Sequence, residues 1–142
     1  MAYWLFKSEP GTWSWDDQVK CGAKGTEWDG VRNYMANNFM KDMKIGDKGF
    51  FYHSVNEKQV VGIVEVIGEH VMDPTDAKGK FGMVQLKAVE PMPTFVTLAD
   101  IKGDPALEDM VLVKNSRLSV QPVTTAEWKK VCAMGGLKKA PK

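Results

Sequence analysis

Val60-Val61-Gly62-Ile63-Val64-Glu65-Val66-Ile67-Gly68-Glu69-His70-Val71 is the stretch on which the fold turns. It is rich in β-branched residues, which suit a pleated, half-buried surface. Its apolar residues fall on both alternating faces, so neither face of this strand is simply wetted. Gly62 and Gly68 interrupt the run and predict bulges or bends. A long strand that is apolar on both faces and bent at glycines reads as a strand wrapped into a barrel. Before it, Lys48 to Ser54 is the clearest strand, with Phe50, Tyr52 and Ser54 pointing one way and Phe51 and His53 the other. Asn56-Glu57-Lys58-Gln59 closes the hairpin. After it, Asp73-Pro74-Thr75-Asp76 starts a turn, and Met83 to Val89 forms a third strand that Pro91 and Pro93 end.

Further out, Tyr3 to Lys7 is a short strand stopped at Glu9-Pro10. Ser14 with Asp17 caps a helix over Trp15 to Lys20, and Gly22 ends it. Gly22 to Asn33 lacks periodicity and reads as ordered loop. Asn33 caps a helix over Tyr34 to Met43, with Met35, Phe39 and Met43 as its apolar stripe and Asn37 and Asn38 toward water. Thr97 caps a short helix through Ile101. Ser119 to Val123 is the last strand, and the Thr124–Glu127 capping box opens a helix over Thr125 to Ala133. The class is α+β: a small bent barrel decorated by short helices. Residues 1–134 form one domain, and 135–142 a flexible Lys/Pro-rich tail.

Composition narrows the function. The 142 residues are 44% hydrophobic and 26% charged, and nineteen basic against eighteen acidic residues leave a net charge of +1. That balance disfavours a polybasic coat for sequence-blind DNA binding and predicts a shallow salt dependence. Cys21 and Cys132 make no metal-like pair and no disulfide framework, so the reading is a reducing, cytoplasmic compartment without metal or cofactor. No apolar run is long enough to span a bilayer, and the N-terminus lacks the pattern of a signal peptide. The phosphate-loop, dinucleotide, serine-hydrolase and zinc-protease motifs are all absent.

Among the five tryptophans, Trp4, Trp13, Trp15 and Trp128 read as packing residues. Trp28 lies in the aperiodic stretch beside Asp29-Gly30. It either plugs the end of the barrel or offers a wall on which a planar ring stacks, worth about 1–3 kcal/mol. Only Arg32 and Arg117 of the nineteen basic residues are arginines. Each is either paired with a carboxylate or free to grip a phosphate or base edge. His53 reads as a hydrogen-bonded wall residue before a base, and Glu9 as a surface ion pair or an acceptor. Asn33, Asn37 and Ser54 can serve a nucleobase edge with neutral donors and acceptors.

Several blocks resemble one family in order and spacing: Tyr3-Trp4-Leu5-Phe6-Lys7-Ser8-Glu9-Pro10, Trp28-Asp29-Gly30-Val31-Arg32-Asn33-Tyr34, Phe51-Tyr52-His53-Ser54, Asp73-Pro74-Thr75 and Ser116-Arg117-Leu118-Ser119-Val120-Gln121-Pro122-Val123. The likeness is to the EVE domain, in its compact stand-alone bacterial form, from about Ala2 to about Val131. The resemblance implies a PUA-like bent, partly closed β-barrel surrounded by short helices and related to YTH domains. It also implies a non-catalytic reader of a modified nucleobase in DNA or RNA. The pocket implied involves Lys7, Ser8, Glu9, Trp28, Gly30, Val31, Arg32, Asn33, Tyr34, Tyr52, His53, Ser54, Ser116, Arg117, Ser119 and Gln121. Its partner is a nucleic acid carrying a modified base, with no membrane or metal, and a monomer is the expected state. In this reading Trp28→Ala weakens binding while leaving the fold intact. The alternatives are an enzyme acting on a modified nucleobase or nucleotide, with Glu9 or His53 transferring the proton, or a protein–protein adaptor.

Overall fold

A computed structural model describes residues 2–55, 57–115 and 117–141. The elements in chain order are β1 (Tyr3–Ser8), α1 (Trp15–Lys20), β2 (Thr26–Trp28), α2 (Tyr34–Asp42), β3 (Lys48–His53), β4 (Gln59–Met72) and β5 (Gly82–Thr97). They are followed by α3 (Leu98–Lys102), α4 (Val111–Lys114), β6 (Val120–Val123) and α5 (Thr125–Met134). The strands make one sheet in the order β2-β5-β4-β3-β1-β6. All pairings are antiparallel except β1 with β3. The two edge strands, β2 and β6, are not hydrogen-bonded neighbours, so the bent sheet stays open. This is the expected α+β arrangement.

The bend comes from β4 and β5. Their register slips between Val60 and Gly62, Ile63 and Val64, Val66 and Gly68, and Gly68 and Val71. Both predicted glycine positions therefore mark irregularities, which raise local twist and curl the sheet. Gly62 has a second reason. A Cβ there would lie 2.5 Å from the Trp15 ring, so α1 can seat its indole on β4 only over a glycine.

Alternation along the strands sorts the core into two clusters on opposite faces. Phe6, Phe51, Val61 and Val64 join Trp4, Trp15, Trp28, Ala36 and Met40 under α1 and α2. Leu5, Phe50, Tyr52, Val60 and Ile63 join Ile101, Leu107, Leu112, Trp128 and Val131 under α3, α4 and α5. In the second cluster Trp128 stacks between Tyr3 (centroids 4.5 Å apart) and Phe50 (4.2 Å). The tail expected to be mobile makes contacts here: Leu137 and Ala140 pack on this cluster, and the Trp128 indole donates to the Pro141 carbonyl at 2.8 Å.

Three expectations need correction. The stretch 22–33 contains the strand β2, whose three residues pair with Leu86, Gln85 and Val84. Three residues are too few for alternation to show. The strand beginning near Met83 does not end at Pro91. It continues to Thr97, because past Leu86 no strand among the described residues covers its second edge, and a proline with nothing to donate to is tolerated there. In α2 the buried residues are Ala36, Asn37 and Met40, while Met35 is exposed. Asn37 does not face water: its Oδ1 accepts from Gly82 N–H (3.0 Å) and from the His70 ring (2.9 Å). Satisfied this way, a buried amide is tolerated.

Candidate functional site

Beyond Ser8 the chain turns back on itself. The N–H groups of Thr12 and Trp13 both donate to the Glu9 carbonyl at 2.9 Å, and the Ser8 hydroxyl donates to the Trp13 carbonyl. This turn stands Trp13 at the end of β1. The Trp13 indole N–H donates to Gln18 Oε1 (2.9 Å), and Gln18 Nε2, fully buried, donates to the Leu86 carbonyl (3.1 Å). One wall is therefore tied to β5 through a single glutamine.

The other wall is the segment around β2. Gly25 lets it approach β5: with φ +69°, a Cβ there would sit 2.3 Å from the Leu86 carbonyl oxygen. β2 ends at Trp28, whose ring meets Phe6 and Phe51 edge-on at 5.6 and 5.7 Å. Between the walls lies a cavity of about 780 Å³, within the range of small-molecule sites. Lys7, Ser8, Glu9, Thr12 and Trp13 line it from one side and Lys24 to Arg32 from the other, with Gln85 and Ser119.

Asp73 anchors the second wall. Its side chain is fully buried and accepts from Gly30 N–H (2.8 Å), Arg32 Nη1 (3.1 Å), Thr75 N–H (2.7 Å) and the Thr75 hydroxyl (2.6 Å). Burial would raise its pKa. The hydrogen bonds from Thr75, Gly30 and Arg32 outweigh that and lower it to about 2. Arg32 is thereby committed: Nη1 also donates to its neighbour's carbonyl (Val31, 3.0 Å), Nη2 donates to Thr75 (3.0 Å), and the guanidinium lies over Phe81. Of the two readings for this arginine, the carboxylate pair is the one observed.

Eight expected residues line the cavity: Lys7, Ser8, Glu9, Trp28, Gly30, Val31, Arg32 and Ser119. The other expected residues that the structure describes lie elsewhere. Asn33 is spent capping α2, accepting from Ala36 N–H at 2.9 Å. Tyr34 is exposed and leans on Phe81. Tyr52 belongs to the second core, and burial pushes its phenol up to about 12. His53 is also off the cavity. Its Nε2 accepts from Trp15 N–H and its Nδ1 contacts Glu57 Oε1, both at 3.0 Å, so both nitrogens are engaged. Ser54 N–H donates to the Ser8 carbonyl. Gln121 is fully buried and donates to the Leu118 carbonyl (2.7 Å), shaping the loop before β6. Arg117 is exposed, and Ser116 lies outside the described residues.

Thr12, Trp13, Lys24, Gly25, Thr26, Glu27, Asp29 and Gln85 line the cavity without having been singled out. For Trp13 the signal was its position just past the Glu9-Pro10 break. Trp28 is only 9% exposed and its ring meets two phenylalanines, so Trp28→Ala is expected to cost stability as well as any binding. Cys132 is buried in the second core, where burial raises its thiol to about 12. The residues lining the cavity include two tryptophans, the hydroxyl-bearing Ser8, Thr12, Thr26 and Ser119, and carboxylates interleaved with cations.

A model of the EVE domain family matches residues 2–134. The chain belongs to the EVE domain family. This EVE domain is 34% identical to human thymocyte nuclear protein 1, over 89% of this chain and 71% of that protein. A crystal structure of an Agrobacterium tumefaciens protein superposes with a TM-score of 0.97 at 55% identity, covering 100% of this chain and 98% of that one. The crystal structure of human THYN1 in complex with DNA containing 5-methylcytosine superposes with a TM-score of 0.85 at 34% identity, covering 99% and 100%. The YTH domain of Mmi1 shares the fold alone, at a TM-score of 0.58 and 13% identity.

Proposed function

We propose that this EVE domain is a non-catalytic module that binds DNA by taking one modified base into the cavity between Trp13 and Trp28. The observation that carries the proposal is the human relative bound to 5-methylcytosine DNA, alike over the whole of this chain. The cavity supports it by its size and lining. A flipped base costs a few kcal/mol to unstack, and stacking on an indole returns about 1–3 kcal/mol of that. Trp13 and Trp28 are the stacking surfaces. Ser8 and Ser119 read the polar edge, and Glu9 accepts from an exocyclic amine. Since Arg32 is held by Asp73, its part is to fix the second wall. Arg117, exposed two residues before Ser119, is the arginine we assign to a phosphate.

The test is a titration of DNA oligonucleotides with and without one 5-methylcytosine, followed by anisotropy. The modified strand binds tighter, and Trp13→Ala weakens it by about 1–3 kcal/mol. Trp13 is the better probe than Trp28, whose removal also opens the core. Equal affinity for the two strands rejects the proposal. Mass spectrometry of the recovered oligonucleotide checks the non-catalytic half: a changed base means an enzyme.

A further inference from the structure

Outside the cavity, Tyr34 is 61% exposed although it carries an aromatic ring at the start of α2. Its ring lies 4.8 Å from that of Phe81, with the planes 39° apart. Phe81 in turn lies under the Arg32 guanidinium, 5.9 Å from its centroid, and Arg32 lines the cavity. Three flat groups thus lead in series from the cavity rim onto the open surface. We infer that the Tyr34–Phe81 pair is a second nucleotide site, receiving a base that neighbours the one seated in the cavity.

The loop that presents Phe81 is built to hold it still. Asp76 Oδ2 accepts from the N–H groups of Lys80 and Phe81, both at 2.8 Å, and Oδ1 from Lys78 N–H at 3.0 Å. Asp73, at the other end of the loop, is tied to Gly30 and Arg32. The two acids of this loop therefore spend their charge on local hydrogen bonds. Lys78 and Lys80 remain exposed, with no carboxylate within ion-pair distance among the described residues. Aromatic faces flanked by cations are what single strands stack on, and any base will serve because each has a π-face. Arg32 lines the cavity and the ledge begins beside it, so a strand whose base fills the cavity and whose backbone leaves on this side meets the ledge next. The inference rests on the proposed binding of a base in the cavity.

Two single-stranded DNA probes separate the two claims: one bearing a 5-methylcytosine between normal nucleotides, the other with abasic sites on both sides of it. Both have the same length and charge. On the intact probe Tyr34→Ala weakens binding by about 5- to 150-fold, and Tyr34→Phe restores it. On the abasic probe wild type and Tyr34→Ala bind alike. Unchanged affinity of Tyr34→Ala for the intact probe, or an equal loss on both probes, overturns the second site and leaves the cavity reading standing. A third probe, the intact strand with cytosine in place of 5-methylcytosine, reads the cavity: a wild-type protein that binds it as tightly as the methylated strand overturns the cavity reading. A protein that binds neither probe overturns both.

Discussion

The two faces of the sheet are built from the same strands and behave as opposites. On β3, Phe50 and Tyr52 go to one core and Phe51 to the other. The core under α3, α4 and α5 is closed: Trp128 is fully buried between two aromatic rings, and the chain beyond α5 covers it. The core under α1 and α2 lets polar groups in. Gln18, Asn37 and Asp73 are buried there with hydrogen-bonded partners, and Trp28, packed on Phe6 and Phe51, is also among the residues lining the cavity. The closed face keeps the sheet together, and the open face gives up part of its packing to a cavity. Aromatic residues serve both ends, so an indole's role is set by what its second face meets.

The largest test of this contrast compares two tryptophans. Trp128→Ala and Trp28→Ala are each expected to cost about 3–5 kcal/mol in denaturant unfolding, since both leave a hole among aromatic rings. Only Trp28→Ala should also abolish the preference for the modified oligonucleotide under conditions where both variants are folded. Loss of preference in both would erase the distinction between the faces. Next comes Asp73→Asn, expected to cost about 1–3 kcal/mol, because Arg32 and Gly30 lose a charged acceptor. The pH profile identifies the group. Its folded pKa of about 2 lies below the ordinary 3.8. Its contribution is therefore complete above that ordinary value and is lost as pH falls through about 2. The wild type should lose stability across that interval more steeply than Asp73→Asn. Parallel acid limbs would show that Asp73 is not the group responsible. The smallest effect belongs to Arg117→Ala, within about 0.5 kcal/mol in stability. If Arg117 holds a phosphate, the log–log salt slope falls by about 1, and an unchanged slope removes it from the interface.

What could be read in the residues follows the same divide. Hydrophobic alternation on β3, the glycine interruptions of β4, and the caps at Ser14, Thr97 and Thr124 are local signals, and each stands where expected. The cavity was half legible. Lys7 to Glu9, Trp28 and Gly30 to Arg32 are marked by motif. Gln85, however, looks like any residue of an alternating strand, and Trp13 like a packing residue. Their exposure to the cavity is decided by the turn at Glu9 and by the close approach that Gly25 permits. Tyr52 and His53 sit within a recognised block, yet one faces the far core and the other is bonded to α1. Asn37 could not be placed at all, because its partners, Gly82 and His70, arrive from strands remote in the chain.

The single parallel pairing has a consequence for synthesis. Tyr3 lies opposite Lys48 on one side and Val123 on the other. The nascent β1, with Leu5 and Phe6 side by side, leaves the ribosome with neither neighbour yet made. It waits for β3, and then for nearly the rest of the chain before β6 arrives. Contacts so remote slow folding and leave a sticky segment uncovered, so this small protein should depend on shielding early in translation more than its size suggests.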